Sequence, residues 1–364
     1  MIFGDRVRQA REFKGFTQKQ LAKRLNINQS AIAQIETGRT QPGDDVLEGI
    51  VLQTGFPFSF FKQPPTTEFP LGTLLFRSRV LSMHQRREAH QYGQRVFELL
   101  EALEHHFTPI PVSIPSINDD PQTAARLSRS ALGLGPDTPI DHVARSVEKA
   151  GVLVLALPTD LKRRDAFSLW AGRDALRPVI VLCGYPSGDR LRFSIAHELA
   201  HLVMHRAFKS DTPDLEDEAD AFAGEFLMPE EAMRRELTPP ITLTTLARLK
   251  PRWKVSIQAL AHRAYELKTI SPRQYKYLRQ QVIQQGWLTK EPISIPVEKP
   301  RALSQMAETL YGKPLDYRKV ANAANLPVGL TRDILMAHAS FGNEASNDKA
   351  IKAGMRVLDF QKSR

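Results

Sequence analysis

The stretch Arg192-Phe-Ser-Ile-Ala-His197-Glu198-Leu-Ala-His201-Leu-Val-Met-His205 governs how the rest of the chain is read. No Pro or Gly interrupts it. Phe193, Ile195, Leu199, Leu202, Val203 and Met204 supply apolar surface, so the pattern predicts a helix anchored in a core. His197 and His201 then lie four residues apart on one face, where both imidazoles can reach one Zn²⁺. Glu198 stands beside them as a general base for water. Two histidines four apart also arise by chance, so the pentapeptide needs its context.

A catalytic zinc normally takes three protein ligands. His205 lies eight residues beyond His197, about 12 Å along a helix axis, too far to share the ion. Its expected role is to cap or pack the helix end. Residues 211 to 236 hold ten acidic residues and two basic ones, and the part from Glu216 to Pro229 predicts a second helix. Glu216, Ala219, Asp220 and Ala223 share one stripe, and the alanines would let this helix approach the first closely. Glu216 can complete the coordination, and Asp220, one turn on, can bond an imidazole N–H behind the metal. Glu218, on a different face with Glu225, is the alternative third ligand. The alanines and two Phe among the acids argue against a merely solvated acidic helix.

Upstream, Val152–Leu157, Ala166–Trp170 and Arg177–Cys183 read as strands, giving a three-stranded sheet next to the metal-binding helix. An edge strand of such a sheet can pair with an extended polypeptide. Cys183 is expected to be a small apolar strand residue.

The first sixty residues read as a bundle of short helices. Thr17 caps a helix over Gln18–Leu25, Asn26-Ile-Asn28 is a turn, and Asn28 can cap a third helix over Gln29–Glu36 that Gly38 stops. With Ile32 and Ile35 inward, Gln29, Ser30 and Gln34 point out together. This is the geometry of a recognition helix, with Gln18 and Arg39 placed to hold phosphates.

Composition agrees with such a chain. At 364 residues and 42% hydrophobic it can hold two or three domains with sizeable cores. Cys183 is the single cysteine, so no intrachain disulfide can form and a cytoplasmic location is the expectation. No apolar run approaches the ~20 residues of a membrane span, and no signal-peptide pattern opens the sequence. A net charge of +10 favours a polyanionic partner, most simply DNA.

Two resemblances emerge. Thr17-Gln18-x-x-Leu21-Ala22 with Ser30-x-Ile32-x-x-Ile35-Glu36-x-Gly38-Arg39 resembles the Cro/C1-type (XRE) DNA-binding domains. That implies sequence-specific operator binding, usually as a dimer, with contacts at the Gln18, Gln29, Ser30 and Gln34 positions. His197-Glu-Leu-Ala-His201-Leu, Glu216-x-x-Ala-Asp-x-Phe-Ala and Leu227-Met-Pro229 resemble the ImmA/IrrE zinc metallopeptidases. The likeness extends over about residues 120–290, through Val255-Ser-x-x-Ala-Leu260-x-x-Arg263 and Gly286-Trp-Leu-x-x-Glu291-Pro. Cys183-Gly184 departs from it, since relatives often have Asn there. The resemblance implies Zn²⁺ held by His197, His201 and Glu216, Glu198 as base, and cleavage of a repressor-type transcription factor that releases mobile-element or stress-response genes.

The expected fold class is α+β: an all-α helix-turn-helix bundle, a zincin-like peptidase domain with a small three-stranded sheet, and a C-terminal helical region. The expected division is a DNA-binding domain over 1–62, linker and long helix over 63–120, peptidase over 121–240, a basic helix-turn-helix-like region over 241–300, and accessory helices over 301–364. The Arg-rich long helix, entered through Phe76–Arg79, is expected to pack on the peptidase or lie along DNA. The residues from Asn343 on are expected to be loosely held. The expected function is a DNA-bound zinc endopeptidase in gene regulation. The alternative is a phage-immunity or antitoxin-like repressor whose metal only senses or stabilises.

Overall fold

The computed structural model describes residues 1–65, 83–157, 166–171, 176–184, 186–206 and 213–339. The Phe76–Arg79 lead-in, linker residues 66–70 and the tail from Asn343 lie outside the described residues. Seventeen helices and one three-stranded sheet are present among those described, so the chain is α+β, with helical N- and C-terminal regions as expected. It divides into two compact units. One holds the described residues of 1–109 and those from 301 on, together with Ala156 and Leu157, and the other holds most of the rest.

The first unit begins with α1 (Gly4–Phe13), α2 (Gln18–Arg24), α3 (Gln29–Glu36), α4 (Asp44–Thr54) and α5 (Phe58–Phe61) around a core that includes Val7, Leu21, Ile32, Ile50 and Phe60. A reciprocal capping box starts α2: Gln20 N–H donates to Thr17 Oγ1 (3.1 Å) and Thr17 N–H to Gln20 Oε1 (2.8 Å). Asn26, at φ 55°, turns the chain toward α3. Gly4 is required where α1 meets the end of α3, since a Cβ there would lie 2.2 Å from the Ile35 carbonyl oxygen.

The long helix α6 (Met83–Glu104) packs on other helices of the first unit. Val96, Phe97, Leu99, Leu100 and Leu103 are buried against α1 and the C-terminal helices Ala302–Tyr311 and Tyr317–Ala324. An internal charge cluster lies beside this apolar contact. Glu98, buried on α6, pairs with Arg6 of α1 and with Arg95 (3.1 Å), and both guanidiniums lie against the Phe60 ring at 4.6 and 5.0 Å. Charges that read as surface in sequence are thus neutralised inside.

The second unit contains α7 (Pro121–Ala131), α8 (Val143–Lys149), β1 (Leu153–Ala156), β2 (Ala166–Ala171), β3 (Arg177–Leu182), α9 (Gly188–Met204) and α10 (Pro213–Leu227). It continues with α11 (Glu230–Glu236), α12 (Leu243–Trp253), α13 (Ile257–Glu266) and α14 (Pro272–Gln284). Strand order is β1-β3-β2, and β2 runs antiparallel to β3 with Ser168 opposite Ile180. Cys183, just past β3, is buried. Helix α9 packs on β2 with one face and on α10 with another. Ala219, Phe222, Ala223 and Phe226 are the buried face of α10.

Ion pairs fix α9 in place. The buried Arg192 guanidinium donates to the carbonyls of Ile140 (2.6 Å) and Asp141 (3.3 Å) and pairs with Glu298, which also accepts from Ala144 N–H (3.0 Å). Gly188 opens the helix beneath Pro296, whose carbonyl oxygen would stand 2.1 Å from any Cβ. The basic region downstream spends two of its cations internally: Lys250 is buried between Asp189 and Glu291, and Arg263 pairs with Glu225. The motif positions Arg263 and Glu291 are therefore structural ties.

Candidate metal centre and helix-turn-helix surface

Helix α9 carries His197 and His201 on the face toward α10, and α10 presents Glu216 to them. His197 Nε2 and His201 Nε2 are 3.2 Å apart; Glu216 Oε2 lies 3.3 Å from the first and Glu216 Oε1 3.5 Å from the second. Ligand atoms about 2.0–2.1 Å from a tetrahedral ion stand about 3.3–3.4 Å from one another. The three donors therefore match the spacing of a His₂Glu set, and among the described residues they form the only group of three so arranged.

Each histidine has a partner behind it. His197 Nδ1 faces Asp220 Oδ1 at 2.8 Å, the contact expected for Asp220. His201 Nδ1 faces His205 Nδ1 at 2.9 Å, and His205 Nε2 faces Glu218 Oε2 at 2.9 Å. His205 is the buried C-cap of α9, and Glu218 stands with it, apart from Glu216. Glu198, on the face toward the sheet, accepts a hydrogen bond of 2.7 Å at Oε2 from Ser168 Oγ of β2. Sequence reasoning missed Ser168, a strand serine with no pattern around it. It placed His205 at the helix end without its partners.

The electrostatics follow from this crowding. Burial opposes charge on His197, but bonds to Asp220 and Glu216 and the nearby Glu198 carboxylate outweigh it, and its pKa is raised to about 10. Glu216, held by His197 and His201, is shifted well below the usual carboxylate range. A cavity of about 1060 Å³ is lined by Asp217 and Asp220 of α10 and by Phe193, Tyr275, Arg279 and Trp287; none of the three donors lines it.

On the helix-turn-helix, Asn28, Gln29, Ser30, Gln34 and Arg39 are all exposed. Asn28 occupies the N-cap position of α3 but does not cap through its side chain, contrary to expectation; its backbone carbonyl accepts from Ala31 N–H (3.1 Å). Gln18 is half-buried, and its amide donates to Glu36 Oε2 (2.8 Å), which also bonds Arg11. Its amide group is thus oriented by the bundle.

Residues 147–265 match the family described as IrrE N-terminal-like domain, Peptidase_M78, and residues 7–61 match the family described as Helix-turn-helix, HTH_3. One stretch of the chain is thus similar to helix-turn-helix domains and another to IrrE N-terminal-like domains, the combination its motifs indicate. No curated protein matches it. One solved structure, Bacillus thuringiensis PlcR in complex with the peptide PapR7 and DNA, aligns over 92% of this chain and 95% of that one. Identity is 13% and the TM-score is 0.16, too low to carry an argument. Among the described residues no helix is long and apolar enough to cross a membrane.

Proposed function

We propose that the chain is a DNA-bound zinc endopeptidase that regulates genes by cleaving a repressor-type transcription factor. The observation that carries this is the His197–His201–Glu216 triangle, with sides near 3.3 Å, next to a hydrogen-bonded Glu198. Zn²⁺, once bound by these three side chains, supplies a Lewis acid that polarises a peptide carbonyl and acidifies water; Mn²⁺ or Fe²⁺ would also suit the donor set. Glu198 takes the proton from the attacking water and delivers it to the leaving amine. Ser168 Oγ holds Glu198 Oε2, which leaves Oε1 for the proton. Asp220 orients His197. β2 ends the sheet, and its outer edge can align an extended substrate backbone, while the cavity lined by Asp220 has room for side chains.

Gln29, Ser30 and Gln34, with Asn28, face base edges, and Gln18 and Arg39 face phosphates. DNA binding, as a homodimer in the cytoplasm, would place the peptidase beside repressors on the same operator. The deciding test is Glu198→Gln assayed on repressors encoded nearby. Zinc stoichiometry should be unchanged and cleavage lost. Full activity in this variant would refute the mechanism. A zinc-loaded wild type that cleaves nothing would favour a regulator with a sensory or structural metal.

A further inference from the structure

We infer that His205 and Glu218 form the outer support of His201, selecting which of its ring nitrogens faces the metal and holding that lone pair on the site. The inference rests on reading His197, His201 and Glu216 as metal ligands and extends that reading to two residues outside the set. The distances form a continuous chain: His201 Nδ1 to His205 Nδ1 is 2.9 Å, and His205 Nε2 to Glu218 Oε2 is 2.9 Å. A carboxylate can only accept. With both rings neutral, His205 must therefore carry its proton on Nε2 and donate it to Glu218. Its Nδ1 is then an acceptor, so His201 must carry its proton on Nδ1. That leaves the His201 Nε2 lone pair for the metal: Nε2 lies 3.2 Å from His197 Nε2 and 3.5 Å from Glu216 Oε1, the latter beyond ordinary hydrogen-bond length and weaker than the 2.9 Å contact at Nδ1.

Asp220 does the same for His197 directly, at 2.8 Å. The two imidazoles differ in depth, and that explains why one needs an intermediary. The His201 side chain is 4% exposed and His205 3%, whereas Glu218 is 45% exposed. A carboxylate placed directly behind His201 would be buried away from water, which penalises its charge. A neutral ring between them passes on the hydrogen-bond direction and leaves the charge at the surface. His205 caps α9 one turn beyond His201, so the helix itself sets the ring separation.

The test is zinc affinity of the full chain, measured by chelator competition after metal removal. Partners of this kind typically contribute 10–100-fold in metal affinity. His205→Phe should weaken zinc binding by about 10–100-fold. Glu218→Ala should weaken it measurably, and Glu218→Gln less, because the amide oxygen still accepts from His205 Nε2–H. His105→Gln, which removes an exposed imidazole remote in sequence, should leave affinity unchanged. In ¹⁵N-histidine spectra of the metal-free protein, His201 should show the Nδ1–H form, which Glu218→Ala should erode without altering thermal stability. Should His205→Phe not fold, Glu218→Ala alters only a half-exposed side chain and decides alone. Wild-type affinity in Glu218→Ala together with an unchanged His201 spectrum overturns the inference while the metal reading stands. A wild-type chain that binds no zinc overturns both.

Discussion

Metal binding to this site should expel a proton, and the amount can be worked out. His197 has its pKa raised to about 10 by Asp220, Glu216 and Glu198 acting against burial. At pH 7 its ring is therefore protonated in essentially every metal-free molecule. Glu216, shifted below the usual carboxylate range, carries no proton there. A metal needs the His197 Nε2 lone pair, so each ion bound at pH 7 must displace one proton from this residue. The sign is fixed by competition: affinity rises with pH and levels off only above about 10. Over the three units from 7 to 10 apparent affinity should climb about tenfold per unit, equivalent to about 4 kcal/mol of proton competition at neutral pH. Calorimetric titration of zinc into the metal-free chain, in two buffers of different ionisation enthalpy, reads the proton count as the slope of observed heat against buffer heat. A slope near one is expected. Asp220→Asn, which removes a carboxylate bonded to His197, should lower the slope at pH 8–9 before it does so at pH 7. A wild-type slope of zero at pH 7, with zinc bound, would refute this picture of the site's charge.

Two further outcomes concern the first unit. Glu98→Gln leaves Arg6 and Arg95 buried without a counter-charge, and should destabilise that unit by about 3–5 kcal/mol, read as an early transition in chemical denaturation; a loss under about 1 kcal/mol would show that the carboxylate does not hold the two guanidiniums. On an operator obtained by in vitro selection, Gln29→Ala should cost about 1–3 kcal/mol and relax sequence preference, while Arg39→Ala should weaken all sequences alike and reduce the salt slope by about one. Equal affinity of Gln29→Ala for selected and scrambled duplexes, matching the wild type on the former, would remove α3 from the interface.

What was legible in the sequence was whatever local spacing determines. Four-residue spacing brings His197 and His201 together on any helix, and the Glu216–Asp220 stripe follows from the same period. The Thr17 capping box and the inward Ile32 and Ile35 are equally local. The remainder depended on how elements cross. Glu216, Glu218 and Asp220 alternate along α10 and differ little as residues. Yet Glu216 meets both histidines, Asp220 meets the back of His197, and Glu218 meets His205. Which acid meets which imidazole depends on the axial offset of α10 along α9, and spacing within either helix does not carry that offset. Charge on α6 was illegible for a related reason. Arg95 at helical spacing looks solvated until Arg6, Glu98 and Phe60 are brought around it from elements far apart in sequence. In both places the hidden information is a pairing of charges across helices. A donor set read from spacing alone is therefore most complete where one helix supplies it and least complete where a second helix must supply its support.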